Sequence, residues 1–263
     1  SENLIRRSAE YETYMALNKK DISDELIYLD PVDGYKISSY ISDAHTCNPD
    51  DKEEVFQCMQ FLRKFHDTHL SVSHSFDLFS EIVKYENLAP DTEHEDYLTV
   101  KEAVFSLRSF IEEHAYSFCL THIDANPDNF LIKEKQIRLI DWEYAGMQDP
   151  HVDIAMFAIY SFYNQQQIDR LIDAYFQKEV PQAIRIKIYC YVAVAGLLWS
   201  NWCIYKESLG TTFGEYAQKQ YAYASSFSRI AKDAIEKMNM KIINGQRFSN
   251  RFLCISLYRY LYH

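Results

Sequence analysis

The sequence predicts an α+β fold that is mainly helical. Long stretches carry apolar residues at the 3.6-residue spacing of amphipathic helices, and two shorter stretches have strand-forming runs on either side of a polar turn. The predicted helices cover residues 1–19, 50–69, 97–114, 149–163, 165–178, 181–206 and 213–237. The predicted hairpins cover residues 26–40, about an Asp-Pro-x-Asp-Gly turn, and residues 130–140.

Length and composition limit the class of protein. The chain has 263 residues, of which 48% are hydrophobic and 25% charged, as in ordinary globular domains. The net charge of −11 argues against a nucleic-acid partner, which usually needs a basic surface. The six cysteines include no CxxC pair and no signal-peptide pattern opens the chain, so we expect reduced thiols in a cytoplasmic protein. The longest apolar run, residues 189–202, is too short and too interrupted to span a bilayer.

The second hairpin carries polar residues at its open end. Residues 130–132 and 137–140 flank a polar turn, so antiparallel pairing would bring Asn129 beside Asp141. Such an amide and carboxylate suit Mg²⁺, which takes one or two protein oxygens and completes its shell with water and phosphates. Asp124 lies on the preceding loop, where it is placed to accept a proton from a hydroxyl group that attacks a phosphate.

The spacing of these residues is that of a kinase catalytic loop. His122-x-Asp124-x4-Asn129, followed by an Asp after a strand, matches the catalytic loop and the metal-binding Asp of protein kinases. The Arg of the usual loop is absent, and Asp-Trp-Glu, beginning at Asp141, stands where protein kinases carry Asp-Phe-Gly. The alternative is that these residues only form turns and a helix cap.

Two motifs carry a resemblance to a known family. HIDANPDNFLI, from His122, and IRLIDWEYAG, from Ile137, together resemble the choline/ethanolamine kinases, within the aminoglycoside-phosphotransferase-like small-molecule kinases. IDWEYAG is typical of the bacterial choline kinase type. The resemblance extends from about residue 3 to about residue 237.

The resemblance implies a protein-kinase-like fold with ATP and Mg²⁺ as cofactors. Residues 1–42 would be an incomplete amino-terminal lobe with the hinge, residues 43–243 a helical carboxy-terminal lobe, and residues 244–263 a tail without an assigned role. It also implies catalytic roles for Asp124 and His122, with Asn129 and Asp141 as metal ligands.

The nucleotide-binding residues are assigned through the same resemblance. Arg7-Ser-Ala-Glu10 resembles the family's R-x-x-E, which makes Glu10 the partner of a phosphate-binding lysine; Glu12 is the second choice, and a solvated helix face is the alternative. Ile37 and Tyr40 would lie at the hinge beside adenine, or would simply close the small sheet. No Gly-rich loop or lysine strand precedes the first helix, so an inactive ligand-binding pseudokinase is an alternative function.

Paired aromatic residues point to the substrate. Trp199 and Trp202 share a helix face, as do Phe213 and Tyr216. Their segments, LWSNW and FGEYAQ, resemble those that form the ammonium cage of choline kinases. A trimethylammonium group has no N–H to donate, so ring faces stabilise it by cation–π attraction.

Other substrate assignments leave alternatives open. Glu143 and Tyr160 are added to the predicted substrate site. Because 15% of the chain is aromatic, core packing is the alternative for the tryptophans and the favoured interpretation for Tyr160 and Tyr163. The expected acceptor is choline; ethanolamine or another amino alcohol, or an aminoglycoside, is the alternative, and an aminoglycoside site should be rich in carboxylates.

Asp153, His66 and His69 also have structural explanations. Asp153, in the first turn after Pro150, either supports the catalytic loop, as the resemblance implies, or interacts with the helix dipole. His66 and His69 alone are too few for zinc, which usually needs three or four ligands.

Overall fold

The computed structural model describes residues 7–89 and 94–260, with side chains as far as Lys241. Its helices are α1 (Arg7–Leu17), α2 (Lys52–His66), α3 (Leu78–Leu88), α4 (Tyr97–Phe105), α5 (Arg108–His114), α6 (His151–Tyr160), α7 (Gln165–Phe176), α8 (Gln182–Ser208) and α9 (Glu215–Tyr260). Its strands are β1 (Leu26–Leu29), β2 (Lys36–Ser38), β3 (His45–Thr46), β4 (Cys119–Thr121), β5 (Phe130–Lys133), β6 (Gln136–Leu139) and β7 (Gly146–Gln148). This architecture is the predicted, mainly helical α+β fold.

The first predicted hairpin is formed by β1 and β2, which pair antiparallel. The Asp30 side chain accepts hydrogen bonds from the amides of Val32 (2.7 Å) and Asp33 (3.0 Å). Gly34 follows with a φ of +75°, a conformation that glycine adopts without a steric penalty. The Asp-Pro-x-Asp-Gly sequence therefore forms the turn that its composition predicts.

The second hairpin aligns the ends of β5 and β6 as the sequence predicts. Phe130 is paired with Leu139, and the amide of Ile140 donates to the carbonyl of Asn129 at 3.0 Å. Both Phe130 and Leu139 are fully buried, which anchors the hairpin in the core. A second two-stranded sheet, β4–β7, flanks the site, so the loop after β4 and the segment after β6 lie at the same place.

Helix α8 forms the centre of the helical region and packs against α3, α6 and α9. Gly196 lets α8 lie close to α9: a Cβ there would lie 2.7 Å from the carbonyl oxygen of Gln220. Of the helices in the described chain, α8 alone is long and apolar enough to cross a membrane, but 83% of its apolar window is buried inside the protein. That burial is what a core helix shows.

Several helices differ from the sequence prediction. The predicted helix over 97–114 is two helices, because a tight turn at Ser106 and Leu107 interrupts it while keeping the apolar face in phase. Helix α3, which Asp77 caps, lies outside the predicted helices. The last helix continues past residue 237 to Tyr260. Residues 1–6 of the first predicted helix and residues 90–93 lie outside the described chain.

The described cysteines are free and buried, as expected for reduced thiols: Cys47, Cys58, Cys119, Cys190 and Cys203. The side chain of Cys254 lies outside the described part.

Candidate active site

Asp124 lies on the loop between β4 and β5, and each of its carboxylate oxygens accepts a hydrogen bond. The Asn129 side-chain amide donates to Oδ2 of Asp124 at 3.2 Å and to its backbone carbonyl at 2.9 Å. The Tyr160 hydroxyl donates to Oδ1. Because Asn129 donates with its nitrogen, its oxygen is left as the ligand atom of the amide. A single-turn 3-10 helix, Pro127–Asn129, presents this residue at the start of β5.

Asp141 lies two residues after the end of β6 and is exposed, with a left-handed φ of +66°. The bond between Ile140 and Asn129 places the two predicted oxygen donors side by side at the end of the hairpin. Burial is the main cause that raises the pKa of Asp124, and the negative charge of Asp141 raises it further. The two carboxylates are therefore close enough to interact electrostatically.

His122 connects the loop to the segment that carries Asp141. It is fully buried, and its Nε2–H donates to the carbonyl of Ile140 at 2.8 Å. Its ring lies edge-on to Trp142, with 4.6 Å between centroids. A residue held in this way braces the loop.

Asp153 holds the backbone of the same loop. Its carboxylate accepts hydrogen bonds from the backbone amides of His122 (3.0 Å) and Ile123 (2.8 Å). His66 lies 2.9 Å from the same carboxylate and 2.8 Å from the hydroxyl of Tyr175. Asp153 therefore supports the catalytic loop and is not only an acid in the first turn of a helix. His66 has a structural role, because it contacts this carboxylate.

Glu10, and not Glu12, points towards the site. Glu10 lies 3.9 Å from Lys36; burial raises its pKa, as does the charge of Asp141, while Lys36 lowers it. Glu12 turns away and accepts bonds from the amide and hydroxyl of Ser73, both at 2.6 Å. Lys36 lies on β2, after α1 in the chain, whereas the expected lysine partner was on a preceding strand.

The two predicted hinge residues present their side chains to solvent. Ile37 is 55% exposed and Tyr40 is 91% exposed. Among the described residues, these two side chains therefore form no pocket for adenine. A contact between adenine and this segment would use backbone groups.

Five aromatic rings form a closed circuit beside Asp124, which we call the five-ring cluster. Every neighbour in the circuit is within contact range for aromatic pairs, and only Trp199 among the five is fully buried. The centroid distances are 5.6 Å for Trp199–Trp202, 5.2 Å for Trp202–Phe213, 6.3 Å for Phe213–Tyr216, 6.4 Å for Tyr216–Tyr160 and 5.8 Å for Tyr160–Trp199.

The structure separates the two tyrosines for which the sequence favoured core packing. Tyr163 is buried, and its hydroxyl donates to the carbonyl of Pro49. Tyr160 instead closes the five-ring cluster and contacts Asp124. Tyr144, which sequence reasoning missed, lies edge-on to Trp199 at 5.4 Å; its place directly after Glu143 in IDWEYAG was the available signal.

Glu143 adds a half-buried acid to this region. Burial, together with the charges of Asp141 and Asp124, raises its pKa to about 7, and Lys206 opposes that rise. The Lys206 ammonium lies 5.5 Å from the Trp202 ring centroid. Lys206 therefore lies beside the five-ring cluster and is close enough to Glu143 to lower its pKa.

The predicted metal ligands are the amide oxygen of Asn129 and the carboxylate of Asp141. Within residues 7–89 and 94–241, no group of three or more His, Cys, Asp or Glu side chains is arranged to hold an ion. One amide and one carboxylate at the end of a hairpin do fit Mg²⁺ bound together with phosphates.

A family model described as the phosphotransferase enzyme family matches residues 28–186, which include the whole catalytic loop and Asp141. The chain belongs to this family. The predicted assignment to ATP-dependent phosphotransferases with a protein-kinase-like fold is thereby confirmed.

Similar proteins agree with this assignment. Protein LicA of Haemophilus influenzae is 25% identical over 234 residues, which cover 83% of this chain and 87% of that protein. The crystal structure of choline kinase LicA from Streptococcus pneumoniae has a TM-score of 0.77 and 29% identity, covering 87% of this chain and 82% of that one. A LicA structure in complex with AMP has the same TM-score and identity and covers 88% and 81%.

Proposed function

We propose that this protein transfers the γ-phosphoryl group of ATP, with Mg²⁺, to the hydroxyl group of choline and releases phosphocholine and ADP. The observation that carries the proposal is the closed five-ring cluster, which adjoins Asp124 through Tyr160. The similar LicA structures, one named as a choline kinase and one containing AMP, support both the acceptor and the nucleotide.

The surroundings of the cluster favour a quaternary ammonium over a primary amine. Ring faces stabilise a desolvated cation that has no N–H group to donate, whereas a primary ammonium needs several hydrogen-bond acceptors. Besides the catalytic acids, the acceptor site would include one carboxyl group, that of Glu143, whose pKa Lys206 lowers. An aminoglycoside, with several ammonium groups, would require more carboxylates than this.

Asp124 would be the base of the reaction. It accepts a hydrogen bond from the choline hydroxyl and takes the proton as the new bond forms between the hydroxyl oxygen and the γ-phosphorus. The bond between that phosphorus and the bridging oxygen of ADP breaks at the same time. His122 and Asp153 keep the loop in place during this step, so the rate gain comes mainly from orientation.

The nucleotide would occupy the other side of Asp141. The oxygen of Asn129 and the carboxylate of Asp141 would hold Mg²⁺, which when bound supplies positive charge to the phosphate oxygens. Glu10 would orient Lys36 towards the same side, and the backbone near Ile37 and Tyr40 would meet the adenine edge.

A phosphotransfer panel tests the proposal. The protein is incubated with Mg²⁺, ATP and, in separate reactions, choline, ethanolamine or an aminoglycoside, and the products are identified by mass spectrometry. We expect choline to give the highest kcat/KM. Phosphorylation of another acceptor, with choline left unchanged, would overturn the proposed substrate; ATP binding without phosphorylation of any acceptor would favour the ligand-binding alternative.

A pair of variants tests the assigned base. Asp124→Asn should lower kcat by about 10²–10⁴-fold because a general base is lost. Asp128→Asn is the matched control, since Asp128 lies on the same loop but is exposed; its kcat should be unchanged. Equal activity of the two variants would exclude Asp124 as the base.

A further inference from the structure

We propose that Tyr160 is a positioning residue, whose hydroxyl fixes the carboxylate of Asp124 while its ring forms one wall of the five-ring cluster. One side chain would then link occupancy of the acceptor pocket to alignment of the base. The inference rests on the proposed function, because it assigns Asp124 as the base and the cluster as the acceptor pocket.

The first argument is the geometry around the carboxylate. Tyr160 donates to Oδ1 of Asp124 and Asn129 donates to Oδ2 at 3.2 Å, so one donor holds each oxygen. Two donors on opposite oxygens restrict rotation of the carboxylate plane. Each oxygen has a second lone pair, which leaves an acceptor position for the substrate hydroxyl.

The second argument is the position of Tyr160 on α6. Asp153, in the first turn of this ten-residue helix, binds the backbone of the catalytic loop. Tyr160 is its last residue and lies seven positions later, which is two turns along the same helix face. Both ends of α6 therefore hold the loop: Asp153, near the start of the helix, binds the loop backbone, and Tyr160, at its end, binds the carboxylate of Asp124.

The third argument is the ring of Tyr160. It lies 6.4 Å from Tyr216 with an interplanar angle of 25°, and 5.8 Å from Trp199. A cation seated in the cluster would contact the same side chain whose hydroxyl holds Asp124. Movement of this ring on substrate binding would therefore move the hydrogen-bond donor of the base.

The decisive variant is Tyr160→Phe, which keeps the ring and removes only the hydroxyl. We expect kcat to fall about 10- to 100-fold, because small displacements of a reacting group have effects of this size, while the KM for choline changes less than about twofold, since the ring wall is kept. Tyr160→Leu removes both parts, so it should lower kcat and also raise KM.

Tyr163→Phe is the matched control. Tyr163 lies three residues further, and its hydroxyl donates a hydrogen bond to the carbonyl of Pro49, outside the site. We expect its kcat and KM to equal those of the wild type. Thermal unfolding of both Phe variants separates a loss of stability from a loss of positioning.

Three results would overturn the inference. An unchanged kcat in Tyr160→Phe would show that the hydroxyl does not position the base. A raised KM with unchanged kcat would make Tyr160 a substrate contact only. A crystal structure of Tyr160→Phe in which Asp124 keeps its orientation would contradict the inference without any use of an acceptor.

The proposed function can fail separately. If the wild type phosphorylates an acceptor other than choline, the choline assignment is wrong, but the same comparison of Tyr160→Phe with Tyr163→Phe applies to that acceptor. If no acceptor is phosphorylated, the crystal structure of Tyr160→Phe still decides whether the hydroxyl holds Asp124.

Discussion

The imidazole Nε2 of His66 lies 2.9 Å from Oδ2 of Asp153, although 87 residues separate them in the chain. Both side chains are buried, and the amides of His122 and Ile123 donate to the same carboxylate. Three hydrogen-bond donors, two of them in the catalytic loop, thus converge on the carboxylate of Asp153. Each of these three hydrogen bonds is accepted by a carboxylate oxygen, so the loop needs a side chain at residue 153 with two acceptor oxygens.

Asp153→Asn should therefore weaken both the fold and the reaction. An amide turns one acceptor oxygen into a donor, which leaves a buried N–H of the loop or of His66 without an acceptor. We expect a loss of about 2–4 kcal/mol in the free energy of unfolding and a lower kcat, measured by denaturant titration and steady-state kinetics. Asp173→Asn is the control, because Asp173 is a mostly exposed partner of Arg185. Equal stability of the two variants would contradict this account of the loop.

Trp202→Leu should raise the KM for choline and leave kcat nearly unchanged. One desolvated ring stabilises a cation by about 0.5–2 kcal/mol, which corresponds to about a 2- to 30-fold rise in KM. Initial rates at varied choline concentration measure this effect. Tyr116→Leu, which removes an aromatic ring that is 77% exposed, should change neither constant. A fall in kcat alone would argue against a wall of the acceptor pocket.

Gly196→Ala should destabilise the protein, although alanine favours helices. The added Cβ would lie 2.7 Å from both the Gln220 carbonyl oxygen and the Tyr223 Cβ, so α8 and α9 would have to separate. Overpacking of this kind costs about 1–3 kcal/mol, of which the helix propensity of alanine offsets up to about 1 kcal/mol. Differential scanning calorimetry should show a Tm several degrees lower.

The matched control for this substitution is Ala222→Ser, which also adds one heavy atom but does so on the exposed face of α9. Its Tm should stay within about one degree of the wild type, since exposed substitutions change stability little. Equal Tm values for the two variants would show that the helix contact at Gly196 can relax.

The local sequence pattern was sufficient to predict the positions of the site residues that the second hairpin brings together. Alternation and turn residues fix the register of β5 and β6, and register alone places Asn129 beside Asp141. The position of Asp124 could be predicted in the same way, because it lies five residues before Asn129 on a short loop.

Contacts between distant helices could not be predicted from pattern. Tyr160 and Tyr163 are both aromatic and lie near the end of α6, yet one reaches the base and the other the core. Their difference depends on where α8 and α9 pack, which no local rule specifies. The break between α4 and α5 was invisible for a related reason: Val104 and Leu107 are both buried, so the apolar spacing continues across it.

His151 gives a prediction for stability at acidic pH. Burial lowers its pKa from 6.5 to about 3, although Asp149 opposes the shift. Its ring packs edge-on against Phe176 with 5.2 Å between centroids. Between pH 6.5 and about pH 3 the unfolded chain binds a proton at this residue and the folded chain does not. The free energy of unfolding must therefore fall as the pH is lowered through this window, by up to about 1.4 kcal/mol per pH unit from this residue.

His151→Phe keeps a ring at this position and removes the titrating group. Denaturant titrations at several pH values between 4 and 6.5 should show that stability declines less steeply in this variant than in the wild type. Ala222→Ser is again the control, because this exposed substitution changes no titrating group, and its slope should equal that of the wild type. Carboxylates contribute to acid unfolding in all three proteins, so the difference in slope between His151→Phe and the wild type is the quantity that decides. An NMR titration in which the His151 ring becomes protonated near pH 6.5 would contradict the prediction, because burial would then not keep it neutral.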